Sequence, residues 1–146
     1  MDLKDAEALA YALMQEFGLS DWKFKFDSSV RRFGACFYRR RTITLSRKLT
    51  ELNSSKQVED TIRHEIAHAL AGPRNGHNDE WRATAVACGA RPERCYNLEV
   101  VQPPRKYRGV CPGCSTVIDA NRRSMISCKR CSSVFDSRFL FQWSRV

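Results

Sequence analysis

The chain has three histidines, and all of them lie in one stretch of fourteen residues, "HEIAHALAGPRNGH", from His64 to His77. This cluster limits what the chain can fold into more than any other feature. His64 and His68 are four residues apart, so on a helix both rings leave the same face about one turn, roughly 6 Å, from each other. Two imidazoles at that spacing can hold one metal ion, and a catalytic zinc takes three protein ligands and leaves the fourth position to water. His77 is the only histidine left, so the helix must stop and the chain must come back. "GPRNG" allows this, because Gly72 suits the left-handed cap, Pro73 cannot continue the ladder, and two glycines let the backbone reverse. Glu65 follows His64 in an H-E-x-x-H pattern, beside the open position, where its carboxylate can act as general base on water. The expectation is one zinc site, with His64, His68 and His77 as ligands and Glu65 as catalytic base.

The surrounding pattern is that of a small mixed domain. Leu3, Ala6, Leu9, Ala10, Leu13, Met14 and Phe17 recur at helical spacing, and Gly18 stands where that helix should stop. "WKFKF" alternates as a half-buried strand does, and "GACFYR" and "RTITLS" read as two more strands about an "RRR" turn, giving a small antiparallel meander. Ser54 and Gln57 form a capping box ahead of a helix whose buried stripe is Val58, Ile62, Ile66, Ala69 and Leu70. A third helix starts after Asn78 as its cap and runs through Trp81, Ala85 and Val86 to Gly89, with Asp79 and Glu80 complementing its dipole. A histidine that ligates a metal usually donates its other ring nitrogen to a carboxylate or carbonyl. Asp60, Asp79 and Glu80 are candidates for that role, and helix-dipole or surface roles explain their positions equally well.

Cysteine usage defines a second unit. Cys111 and Cys114 in "CPGC", and Cys128 and Cys131 in "CKRC", are two C-x-x-C knuckles separated by thirteen residues, the spacing of a closed four-thiolate structural zinc site. A tail of fewer than fifty residues cannot bury enough apolar surface to fold alone, so the metal would contribute the missing free energy. The expectation is therefore two zinc ions, one catalytic and one structural. Seven cysteines with no signal-like or membrane-spanning stretch suit a reducing compartment: the cytoplasm, or the nucleoid or nucleus according to host. Cys36, Cys88 and Cys95 lack paired spacing and read as buried thiols.

The tail is also basic: residues 100–146 hold nine of the 25 Lys and Arg but two of the 16 Asp and Glu, and so carry +7 of the net +9. A small cationic unit attracts polyanions, most readily nucleic acid, although a solvated charged face explains the charge as well. Arg105, Lys106, Tyr107, Arg108, Arg122, Arg123, Lys129, Arg130 and Trp143 are the candidate contacts to single-stranded or distorted DNA, with cations on phosphates and exposed aromatics stacking on bases. Alternatively, Phe139, Phe141 and Trp143 fill the small core of the unit.

Together, "HEIAHAL" on the active-site helix, "GHNDEW" with the third ligand, the upstream "FGACFY" and "TITLS", the following "CGARPERC" and the cysteine pairs resemble the SprT-like family of zinc metallopeptidases, which includes the DNA–protein crosslink protease Spartan. The resemblance implies that His64, His68 and His77 bind zinc and that Glu65 activates water. Two departures concern the shape of the cleft: the insert between the second and third ligands is only eight residues, and the family's usual "GHG" reads "GHN" here. The expected class is α+β, a zincin-like domain of helices plus a small antiparallel sheet over residues 1–100, a linker over 101–108 and a small β zinc ribbon over 109–146. The expected function is a monomeric zinc endopeptidase recruited to DNA and cleaving DNA-bound or crosslinked proteins, with no membrane role. Two other functions fit the sequence: a nucleic-acid-binding accessory protein with a silent metal site, and a metallopeptidase indifferent to DNA.

Overall fold

The computed structural model describes residues 1–93 and 100–146, and Cys95 lies outside them. The chain divides into two compact units, Met1–Pro103 and Pro104–Val146. Among the described residues no helix is long and apolar enough to cross a membrane.

The first unit opens with α1 (Leu3–Glu16), capped by the Asp2 side chain on Lys4 N–H and ended by Gly18 at φ +73°. Its Ala6, Ala10, Leu13 and Met14 are buried. Three strands follow, β1 (Lys23–Asp27), β2 (Gly34–Phe37) and β3 (Thr42–Ser46). Their spatial order is β1-β3-β2, with β1 parallel and β2 antiparallel to β3, so the sheet is mixed and the expected antiparallel meander does not form. The reason lies in side-chain character. "TITLS" has no charge and all five residues are buried, as a central strand requires, whereas "KFKFD" alternates exposed lysines with packed phenylalanines, as an edge tolerates. The last-made strand therefore takes the middle, and the loop 28–33 carries the chain around it. Asp27 secures this arrangement by accepting from Thr44 Oγ1 at 2.7 Å, Ser29 N–H at 2.9 Å and Arg32 at 3.0 Å.

A short helix α2 (Arg47–Leu52), absent from the sequence reading, continues directly from β3 with Ser46 as its cap. Asn53, 3% exposed, bonds the carbonyls of Leu49 and Val101 and accepts from Val101 N–H, tying the end of this unit back to its core. Next comes α3 (Ser55–Ala71), with both halves of the Ser54–Gln57 capping box formed. Val58, Ile62, Ile66 and Ala67 are buried in it, while Leu70, expected in the same stripe, is 44% exposed, so the stripe leaves the core near the end of the helix. The last helix, α4 (Asp79–Ala87), buries Trp81 and Ala85 and is followed by Gly89 at φ +74°. Arg63 joins the helices, bonding Glu59 and the carbonyl of Cys88 and lying over the Phe17 ring.

The second unit is a three-stranded antiparallel sheet, β4 (Tyr107–Val110), β5 (Val117–Ala120) and β6 (Gln142–Arg145), in the order β5-β4-β6. Strand β4 begins inside the stretch read as linker. Gly109 faces Trp143 across the ladder; a Cβ there would meet the indole at 3.0 Å and Phe141 Cβ at 3.2 Å, so the missing side chain makes room for the aromatics. Phe139 covers Gly113 next to Cys131 in the same way. Aromatic packing and a cysteine cluster thus form the interior of a unit with little aliphatic core.

Candidate functional site

Helix α3 presents His64 and His68 one turn apart, with ring centroids 5.0 Å from each other. Gly72, at φ +89°, ends the helix with its N–H on the His68 carbonyl. Gly76 lies outside the left-handed region and has open space around it, so of the two glycines in the return loop only Gly72 needs to be glycine. The rest of the return is held by two asparagines. Asn75 donates to the orphan carbonyl of Ala71 at 2.8 Å and accepts from Asn78, whose own Oδ1 caps Trp81 N–H at 3.0 Å. His77 sits between these two clamps.

The result is convergence. His77 Nε2 lies 3.1 Å from His68 Nε2 and 3.2 Å from His64 Nε2. Tetrahedral ligands at zinc–nitrogen distances of about 2.0–2.1 Å stand about 3.3 Å apart, so the spacing fits one such ion without rearrangement. Burial pushes His64 down to about 3 and His68 to about 4, each helped by neighbouring imidazoles, so both rings are neutral, the form that ligates a metal.

Trp81 is the part of this site that periodicity did not reveal. It is fully buried, and its ring centroid lies 4.7, 5.1 and 4.5 Å from those of His64, His68 and His77, stacked on His68 and edge-on to the other two. One indole therefore fixes three imidazole planes. The signal was the tryptophan four residues after the third histidine, which the helix reading used only as a core position. Two of the three carboxylates proposed as histidine partners are engaged elsewhere, Asp60 holding Arg91 and Asp79 pairing with Arg82 at the surface, and the third, Glu80, is exposed.

Glu65 is 5% exposed and lines the same cleft of about 620 Å³ as the three histidines, Gly34, Cys36 and Tyr38. Burial pushes its carboxyl up to about 8, against the opposing pull of Arg32. Gly34 is pressed against it: a Cβ there would lie 2.7 Å from Glu65 Oε1 and 2.8 Å from its Cγ. Cys36, expected to be buried, is half-buried and faces the cleft; Cys88 is buried as expected. Tyr38 is half-buried, and burial, with the nearby Cys36 and Glu65, pushes its phenol up to about 12, so it stays protonated.

In the second unit the four cysteines converge, with Cys111–Cys131 sulfurs 3.7 Å apart and Cys114–Cys128 sulfurs 3.6 Å apart. Zinc–sulfur bonds of about 2.3 Å give a tetrahedral edge of about 3.8 Å, which matches. Crowding sets the thiols against one another: burial and the neighbouring sulfurs push Cys131 up to about 12, while hydrogen bonds from Thr116 hold Cys114 down to about 6. A dication among them would resolve that conflict.

The residues proposed for DNA contact are dispersed over this unit. Tyr107 and Gly109 alternate with Arg108 and Val110 along β4, so Tyr107, with Arg123 over its ring at 5.4 Å, faces away from Arg108. Arg108 is held by Asp119 through two hydrogen bonds of 2.9 and 3.1 Å, and Trp143 is held by the Ser124 carbonyl. Lys106, Arg122, Lys129 and Arg130 are exposed, Arg130 reaching Thr116, and Arg105 is half-buried. The most open aromatic of the unit is Phe135, 63% exposed, which composition did not single out.

No curated protein matches the chain. The SprT-like family matches residues 6–101, the span that contains the three histidines, Glu65, Trp81 and the whole mixed sheet. The histidine cluster and the separate four-cysteine cluster are each compatible with zinc, and on the match over residues 6–101 the chain belongs to the SprT-like family.

Proposed function

We propose that this protein is a zinc-dependent endopeptidase whose cysteine-clustered tail brings it to DNA, so that it cleaves proteins bound or crosslinked there. The observation that carries the hydrolytic reading is the meeting of three imidazole Nε2 atoms, 3.1 and 3.2 Å apart, in the cleft that also holds Glu65. Zinc in such a set polarises a peptide carbonyl and lowers the pKa of water towards about 7. His64, His68 and His77 would hold the ion in the planes that Trp81 fixes. Glu65 takes the proton from water as the oxygen attacks the carbonyl carbon, then delivers it to the amide nitrogen as the C–N bond breaks. The bulk of Gly34 is absent where the carboxylate needs room. Cys111, Cys114, Cys128 and Cys131 would hold a second, structural zinc, and thiolate ligands of this kind suit a reducing, cytoplasmic setting.

The DNA half is supported by the +7 charge of residues 100–146, by the exposed cations Lys106, Arg122, Lys129 and Arg130, and by the open ring of Phe135 in the same unit. The test uses the zinc-loaded chain with a DNA-binding protein as substrate, with and without single-stranded DNA, beside Glu65→Gln. Cleavage stimulated by DNA and abolished in Glu65→Gln, with about two zinc ions retained per chain, is the expected result. Cleavage indifferent to DNA would remove the recruitment half. Absence of cleavage by the parent protein would leave a nucleic-acid-binding protein with a silent metal site.

A further inference from the structure

The cleft contains a base and three ligands, yet peptide hydrolysis also requires a hydrogen-bond donor where negative charge develops on the carbonyl oxygen. The side chains lining the cleft offer few free donors. Arg32 is committed to Asp27 at 3.0 Å and lies 5.8 Å over the Phe37 ring. Asn75 uses its amide nitrogen on the Ala71 carbonyl and its oxygen on Asn78. Arg31 and Gln102 are exposed side chains with no fixing partner among the described residues. Tyr38 differs from all of these. Its backbone is anchored where Arg41 N–H closes the turn on its carbonyl at 3.1 Å, its ring is half-buried, and its hydroxyl makes no hydrogen bond among the described residues.

Tyr38 is part of the wall of that cleft. Gly34 and Cys36 on β2 and Tyr38, which opens the turn after it, all line the cleft, and Gly34 lies against Glu65. Cys36 and Tyr38 also border a neighbouring hollow, and Phe37 between them lines that hollow and not the histidine cleft. We propose that the Tyr38 phenol is the donor to the scissile carbonyl oxygen, and so a catalytic residue. The assignment rests on the peptidase reading above. The bond to water oxygen forms, the C–N bond breaks, and the proton travels from water through Glu65 to the amine. The phenol keeps its own proton throughout, because its part is a hydrogen bond that strengthens as the carbonyl carbon becomes tetrahedral.

Tyr38→Phe removes one oxygen atom and keeps the ring. With the full zinc-loaded chain and denatured casein or a DNA-bound protein as substrate, kcat should fall about 10²–10³-fold with KM within about 3-fold, at unchanged zinc content and unfolding midpoint. A phosphinic peptide that mimics the tetrahedral carbon should lose affinity in the same proportion, whereas a product peptide should bind as before. A merely structural tyrosine would not separate those two ligands. Parent-like kcat in Tyr38→Phe, with Glu65→Gln inactive, would overturn the Tyr38 assignment and leave the peptidase intact, as would a loss carried by Arg31→Gln instead. A parent protein inert towards both substrates would overturn both readings together.

Discussion

Gly34 and Glu65 show how one missing methyl group can make room for a buried carboxylate. Gly34 has no need of a left-handed backbone; its constraint is space, since a Cβ would sit inside contact distance of three Glu65 atoms. Gly34→Ala should therefore push the carboxylate aside and lower kcat/KM by about 100-fold, the scale expected for an ångström-sized displacement of a reacting group. Zinc content should remain at the parent value, and crystallography of the variant should find Glu65 displaced; full activity would show that the contact has slack. Asp27 is a second residue whose environment has a measurable consequence. Burial raises its carboxyl, but hydrogen bonds from Thr44, Ser29 and Arg32 outweigh that and hold it below the usual carboxylate range. A depressed folded-state pKa gives stability that is present above the unfolded value and lost as pH falls through the folded one. Parent and Asp27→Asn should thus differ most near neutral pH and converge in acid below about pH 4, as urea titrations at several pH values would reveal.

At the scale of elements, the site depends on how α3 starts and how it stops. Its start is the Ser54–Gln57 capping box, so Ser54→Ala should cost about 1 kcal/mol of stability, read by denaturant unfolding. Ser54 precedes His64 by ten residues, about 15 Å along the helix, so kcat should not change. Its stop is the Gly72 turn, after which Asn75 and Asn78 clamp the loop that returns His77. Asn75→Ala frees the Ala71 carbonyl and loosens that loop, and zinc affinity at the histidine site should fall about 10–100-fold in chelator competition, the range seen when support around a ligand is removed. Unchanged affinity would mean that contacts other than the Asn75 clamp, Trp81 among them, orient His77.

The whole molecule is two units that reach stability by different means. Met1–Pro103 has an apolar core between α1, α3 and the mixed sheet, with Ile43, Leu45, Ile62, Ile66 and Trp81 fully buried. Pro104–Val146 has few buried apolar residues apart from its cysteines, so on the proposal above a metal held by those cysteines would contribute most of its folding free energy, on the order of 10 kcal/mol. Cys128→Ser should accordingly lower zinc from two ions to one, abolish the dispersed amide signals of β4, β5 and β6, and leave those of the first unit in place. Hydrolysis should survive in that variant while its response to single-stranded DNA disappears. A tail that stays folded without its metal would contradict this account.

Much of this was legible in the sequence because local rules governed it. Helical spacing placed His64 and His68 on one face, Gly72 and Pro73 ended α3, the capping box marked its start, and the C-x-x-C pairs announced their cluster, each within a few residues of chain. What failed was what depended on partners distant in sequence. The strand order β1-β3-β2 was misjudged because parallel pairing of β1 with β3 is settled by which strand can bury both faces, a choice made only when all three compete for the centre. Likewise Cys36 faces the cleft because α3 and β2 meet there, and Trp81 packs on three histidines because α4 folds back over α3. The sequence by itself determined which atoms could bind metal and move a proton. Only tertiary packing decided how they face one another, because the contacts of Gly34 with Glu65 and of Trp81 with the imidazoles join residues that no local periodicity connects.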